Sequence, residues 1–248
     1  MNLKIIACRV LSRELSLLSA THPNIIDITY LRQGYHNTPD LLRQHVQTEI
    51  DLIESGDDPH TIDTEYTPID AILLGYGLCS NGIIGVKSGK YPLVVPRGHD
   101  CITMLLGSKE RYKEYFDSHR GVYWYTKGWI ENSTMPSEER YLMVYNQYVE
   151  AYGEDNADYL MEMDQGWYRE YEWATFIDWP QFDNAADIKY SRNCAEYLKW
   201  NFDMVNGDDS LLKAFISGEW NDERFLVVPP GCEIVPTYDE RIIEHKNV

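Results

Sequence analysis

The chain has no run approaching the roughly 20 apolar residues that a membrane-spanning helix takes. Its start, MNLKIIACRVLSREL, lacks the basic-then-apolar layout of an export signal. We therefore expect a cytoplasmic protein with no membrane partner. Positive charge is scarce as well: 22 Lys and Arg stand against 40 Asp and Glu, a formal charge of -18. Such a field repels phosphate backbones, and with no basic patch to oppose it nucleic acid is not an expected partner. The five cysteines, Cys8, Cys79, Cys101, Cys194 and Cys232, include no CxxC pair and no compact spacing. Without an export signal this argues against a disulfide framework. Two readings are left for them, buried small hydrophobes or a site assembled only in three dimensions.

What is present is material for a core, since 44% of the 248 residues are hydrophobic and 13% aromatic. The opening LKIIACRVL reads as a strand, SRELSLLSA as a helix with Ser12 at its cap, and NIIDITYL as a second strand. The clearest helix is TPDLLRQHVQTEIDLIESG. Thr38 precedes it, Pro39 opens it, Leu41, Leu42, Val46, Ile50 and Ile53 share one face, and Gly56 ends it. A polar connection leads to DAILLGYG, the third strand, then to the loop LCSNGIIGVKSG and a fourth strand, YPLVVPR. Residues 101 to 118 carry apolar side chains at helical spacing and read as one helix. Strands alternating with helices predict βαβ units, a mainly parallel sheet of the doubly wound, Rossmann-like kind.

From residue 121 the character shifts to aromatic-rich sequence, GVYWYTKGWIE, ERYLMVYNQYVEAYG and GWYREYEWATFIDW. We expect a single α/β domain over 1–248 with an aromatic-rich helical insertion at about 121–200. The segments FDMVNGDDSLLKAFISG and DERFLVVPPGCEIV should then return the chain to the same sheet. Acidic clusters in YGEDNADYLMEMD and FDNAADIKY read as solvated helix faces and loops.

In open parallel sheets, loops and helix N-termini converge outside the carboxyl ends of the strands, and ligands bind there. Cys8 ends the first strand, Cys79 follows the third, and His99, Asp100 and Cys101 follow the fourth. Cys232 follows the FLVVPPG run; whether it joins the others is left open. Cys194 falls in a helix and reads as structural. Cys8, Cys79, His99 and Cys101 are thus candidate metal ligands. Three thiolates, or two thiolates with an imidazole, suit a tetrahedral zinc ion, and four thiolates would also suit an iron–sulfur cluster. Each cysteine taken alone reads equally well as a buried small residue. Gly75, Gly77, Ser80 and Asn81 form a candidate cofactor-binding loop. Its glycines permit close backbone approach, and Ser80 or Asn81 could cap a following helix. Asp100 and Glu14 are the candidate acid–base groups, because a carboxylate beside a bound ligand can orient it or move a proton. His36, in QGYHNTP, is a weaker candidate for the same cleft.

The segments ACRVLSREL, GYHNTPDLLRQHVQTEID, LLGYGLCSNG, PLVVPRGHDCITMLLGSKERYKEYF and YWYTKGWIE resemble the domain-of-unknown-function 1638 family over residues 5 to about 131. The resemblance names no reaction. It implies relatives in anaerobic bacteria and methanogenic archaea, frequently encoded near corrinoid-dependent methyltransferases. It therefore adds an expectation: metal-dependent one-carbon or methyl-transfer metabolism on a small molecule, with a methyltransferase or corrinoid protein as partner. The alternative is a non-catalytic protein that binds a corrinoid or similar cofactor on its aromatic surface. Against that alternative, the DxHxxG pattern of base-off cobalamin carriers is missing.

Overall fold

The structure, a computed structural model, describes residues 1–59 and 68–248. Part of the polar connection before the third strand lies outside the described residues.

In chain order the elements are β1 (Asn2–Cys8), α1 (Ser12–Ser19), β2 (Ile25–Leu31), α2 (Pro39–Ser55), β3 (Ala71–Gly75), β4 (Leu93–Pro96), α3 (Cys101–Leu106) and α4 (Lys109–Ser118). They continue with β5 (Val122–Tyr125), α5 (Lys127–Asn132), α6 (Glu138–Tyr152), α7 (Glu154–Asp164), β6 (Trp173–Asp178), α8 (Ala185–Leu198) and β7 (Asn201–Asn206). The chain closes with α9 (Ser210–Ser217), β8 (Phe225–Val228), β9 (Cys232–Pro236) and β10 (Ile243–Asn247). The chain divides into two compact units, residues 1–111 with 208–248, and residues 112–207.

The first unit is built on a five-stranded sheet of order β2-β1-β3-β4-β8. Its first four strands are parallel, and β8 runs antiparallel along β4. The apolar runs read from the sequence explain the core: every residue of β1, β3 and β4 is buried, as strands covered on both faces require. The chain steps from β1 outward to β2, then crosses back past β1 to β3. With the right-handed crossovers that parallel strands follow, this order calls for α1 and α2 on opposite faces. This reversal of direction makes the carboxyl ends of β1 and β3 the switch point of the sheet.

Leu42, Val46, Ile50 and Ile53 of α2 are buried as its spacing predicts, with Pro39 at its first turn and Gly56 in the left-handed conformation at its end. Leu41, placed on the same face, is exposed. The helix expected over 101 to 118 is two helices. Gly107 adopts φ 84 and ends α3, and Ser108 accepts from the Arg111 amide to start α4.

The second unit holds strands beside the helices α5 to α8. It contains a three-stranded parallel sheet of order β5-β6-β7, so FDMVN, expected in the first sheet, is the edge of another. The aromatic density of VYWY and WATFID masked ordinary strand alternation. Ala174, Phe176, Cys194 and Trp200 form its core with α8 packed on the sheet.

Candidate functional site

Strand β1 delivers Cys8 to the switch point, and β3 delivers the segment Gly75–Tyr76–Gly77 beside it, through the pairing of Ala7 with Gly75. Both glycines of that segment serve close packing. A side chain on Gly75 would come within 2.6 Å of the Ala7 Cβ, and one on Gly77 within 2.6 Å of the Asp100 amide nitrogen and 2.7 Å of the Gly98 carbonyl oxygen. The second contact brings the loop after β3 against the loop after β4. The Leu78 amide donates to the Gly98 carbonyl at 2.8 Å and the Cys79 amide to the His99 carbonyl at 2.9 Å. Asp100 then caps α3, its carboxylate accepting from the Ile102 amide at 3.0 Å, and Cys101 is the first residue of that helix.

Three of the four predicted ligands are therefore buried side chains at one edge of the sheet: Cys8, Cys79 and Cys101 are 7%, 5% and 5% exposed. They surround Tyr76, which is 2% exposed and whose hydroxyl has no hydrogen-bond partner among the described residues. Burial first, then the neighbouring Cys8, Cys79, Cys101 and Tyr35, raises the Tyr76 pKa well above the ordinary range. Burial also pushes the Cys8 thiol up to about 11, and it raises Cys79 further, with Asp100 and Cys8 adding to the effect. The leading electrostatic neighbours of Tyr76 and Cys79 are all acids: Cys8, Cys79, Cys101 and Tyr35 for the phenol, Asp100 and Cys8 for the thiol. Burial thus strengthens the hold of these groups on protons that thiols and phenols already keep at neutral pH.

The loop between these groups is strained. Cys79, Ser80 and Asn81 take φ 47, 55 and 67, three successive non-glycine residues in the left-handed region, closed by a bond from the Gly82 amide to the Cys79 carbonyl at 2.9 Å. Such conformations cost of order 1 kcal/mol or more each and concentrate at functional sites. No helix follows Asn81, so neither it nor Ser80 acts as the expected cap; both are exposed on a turn.

His99 is exposed, apart from the buried thiols, although its carbonyl helps to hold the turn. Glu14, in the first turn of α1, is buried at 2% exposure. His36 lies in a short 3-10 turn after β2. Cys232 is excluded from the group by topology. Because β8 is antiparallel to β4, the chain after Val228 leaves at the opposite edge, beside Leu93, and the Cys232 thiol donates to the Asn247 side-chain oxygen at 3.3 Å. Cys194 is buried in the core of the second unit, as a structural residue should be. As they stand, the side chains are gathered without closing on a point: among the described residues no group of three or more His, Cys, Asp and Glu is spaced to hold a metal ion.

The aromatic residues of the second unit pack on one another. Tyr123 lies 5.3 Å from Tyr171, 5.9 Å from Trp167 and 6.0 Å from Trp200, and Trp167 lies 4.2 Å from Tyr168, ring centre to ring centre. These are contact distances between rings, so the cluster fills its own interior.

Tyr76 is the residue that sequence reasoning missed. Its signal was its place between two glycines at the end of a buried strand, where a side chain has no room to reach solvent.

Fold and site together define an open, mainly parallel α/β protein with a buried group of thiols and a phenol at its switch point. The chain matches the family described as "Protein of unknown function (DUF1638)" over residues 30–216, and it belongs to that family. No curated protein and no solved structure matches it. Among the described residues no helix is long and apolar enough to cross a membrane.

Proposed function

We propose that this chain binds one soft transition-metal ion, zinc by preference, at the switch point of its first sheet and there acts on a small molecule. The observation that supports it is the set of buried thiols Cys8, Cys79 and Cys101 around the Tyr76 hydroxyl, which has no hydrogen-bond partner among the described residues. The donor chemistry is soft and the electrostatics favour a bound cation. To meet on one ion the thiols must rotate inward, with His99 swinging in from the exposed side of its turn as the fourth ligand. A zinc ion there would lower the pKa of a bound thiol or water.

Asp100 fixes the start of α3 and hence the position of Cys101, and with Glu14 it is the carboxylate proposed to move a proton. The substrate class proposed is a small one-carbon or thiol acceptor in corrinoid-linked metabolism, with a methyltransferase or corrinoid protein as partner.

The test is metal analysis and melting of protein purified without oxygen, for the parent, Cys79→Ser, Cys101→Ser and Cys194→Ser. The parent should hold about one equivalent of metal, and the first two variants should lose both metal and stability, because site binding energy is also folding energy. Cys194→Ser should keep its metal. If the thiols are only core residues, each serine should cost about 1 to 3 kcal/mol and there is no metal to lose. Equal behaviour of all three variants, or a parent folded without metal, sinks the reading.

A further inference from the structure

Helix α6 has 15 residues, among them Leu142, Met143, Val144, Val149 and four tyrosines, yet none of its residues is buried. Its neighbour α7 buries only Ala157 and Met161. The two helices pack along each other and leave Leu142, Met143, Tyr152, Tyr159 and Met163 exposed, at 51%, 42%, 60%, 65% and 66%. An ordinary surface helix turns such residues inward, so this much apolar side chain in water on one hairpin marks a surface that something covers.

The charge of the hairpin says what kind of partner fits. Residues 138–164 contain Glu138, Glu139, Glu150, Glu154, Asp155, Asp158, Glu162 and Asp164, against the single base Arg140. Arg140 is already engaged, donating to the Asp164 carboxylate at 3.2 Å and the Tyr168 hydroxyl at 2.9 Å. A second copy would set this field against its like, and an anionic lipid surface would be repelled in the same way. We propose that the α6–α7 hairpin is the docking surface for a partner protein whose contacting face is apolar and rimmed with lysine or arginine.

The experiment titrates the full chain with an amphipathic helical peptide of leucine and lysine, and with its leucine and glutamate counterpart, by calorimetry at two salt concentrations. The basic peptide should bind one to one, more weakly at high salt, and the acidic peptide should not bind. The double variant Leu142→Ser, Met143→Ser should bind about tenfold or more weakly, since exposed apolar anchors carry such contacts. Tyr238→Ser, a change at a fully exposed residue of the first unit, should bind like the parent. Undiminished binding to the double variant would place the peptide elsewhere on an acidic surface and overturn the proposal. So would a parent dimer, seen by sedimentation, that the same double variant abolishes, since the occupant would then be a second copy.

Discussion

Burial at the switch point acts on individual protons. The Cys8 thiol rises from an ordinary 9.0 to about 11 because leaving water disfavours the thiolate. The folded state therefore holds this proton more tightly than the unfolded chain does. Its contribution is fully present below pH 9.0 and is lost as pH rises toward 11. The metal proposed above would reverse the sense of this dependence at lower pH, because ligation needs thiolates and so releases protons. We expect protein stripped of metal to lose stability between these two pH values. Cys8→Ala should lose less over the same interval, as chemical denaturation at a series of pH values will show. Identical pH profiles for parent and variant would mean that Cys8 is not the group that titrates.

At the scale of elements, the strands and α2 were legible because their cause is local: β-branched apolar runs, a proline at a first turn and a glycine at a last. The break at Gly107 was not, since LLGSKER keeps its helical spacing across it. The Asp208 side chain, more than a hundred residues away in sequence, lies 2.6 Å from where a Cβ on Gly107 would be and leaves room there for glycine alone. The same limit governed the site. Strand order placed Cys8, Cys79 and Cys101 at one edge correctly. The direction of β8, which removes Cys232, and the depth of Tyr76 depend on pairings that no local pattern encodes. Gly77 shows how tightly those pairings are drawn, for its missing side chain lets two loops share hydrogen bonds through Leu78 and Cys79. Gly77→Ala meets backbone atoms of Gly98 and Asp100 that have no flexible end to swing away. It should cost about 2 kcal/mol or more by overpacking. It should also part Cys79 from Cys101 and so weaken the metal binding proposed above. A variant with parental melting temperature would show that the two loops are free to separate.

On the scale of the molecule, the first unit is closed by sequence from both ends of the chain, and Arg97 is where they meet. Its guanidinium, with a side chain 1% exposed, lies just past β4 and two residues before His99. Nε donates to the Asp222 carbonyl at 2.7 Å, Nη2 to the Asp222 carboxylate at 2.8 Å, and Nη1 to the carbonyls of Arg241, at 3.0 Å, and Ile243. The carboxyl-terminal segment thus completes the sheet with β8 and also supplies the acceptors that hold the start of the site loop. Arg97→Met keeps the aliphatic volume but leaves the carbonyl of the buried Ile243 without this donor, a penalty of about 1–3 kcal/mol, and removes the bonds to the exposed Asp222 and Arg241. We expect a loss of about 2 kcal/mol or more in denaturant unfolding, since one buried acceptor is stranded and three further bonds are lost with it. Asp222→Asn removes one charge-assisted bond at an exposed carboxylate and leaves the carbonyl acceptors served, so its loss should be much smaller. If the two substitutions cost the same, the clamp rests on the exposed ion pair and the carbonyl bonds contribute little. A large difference means that the far end of the chain holds the loop of Asp100 and Cys101 in place through backbone acceptors alone.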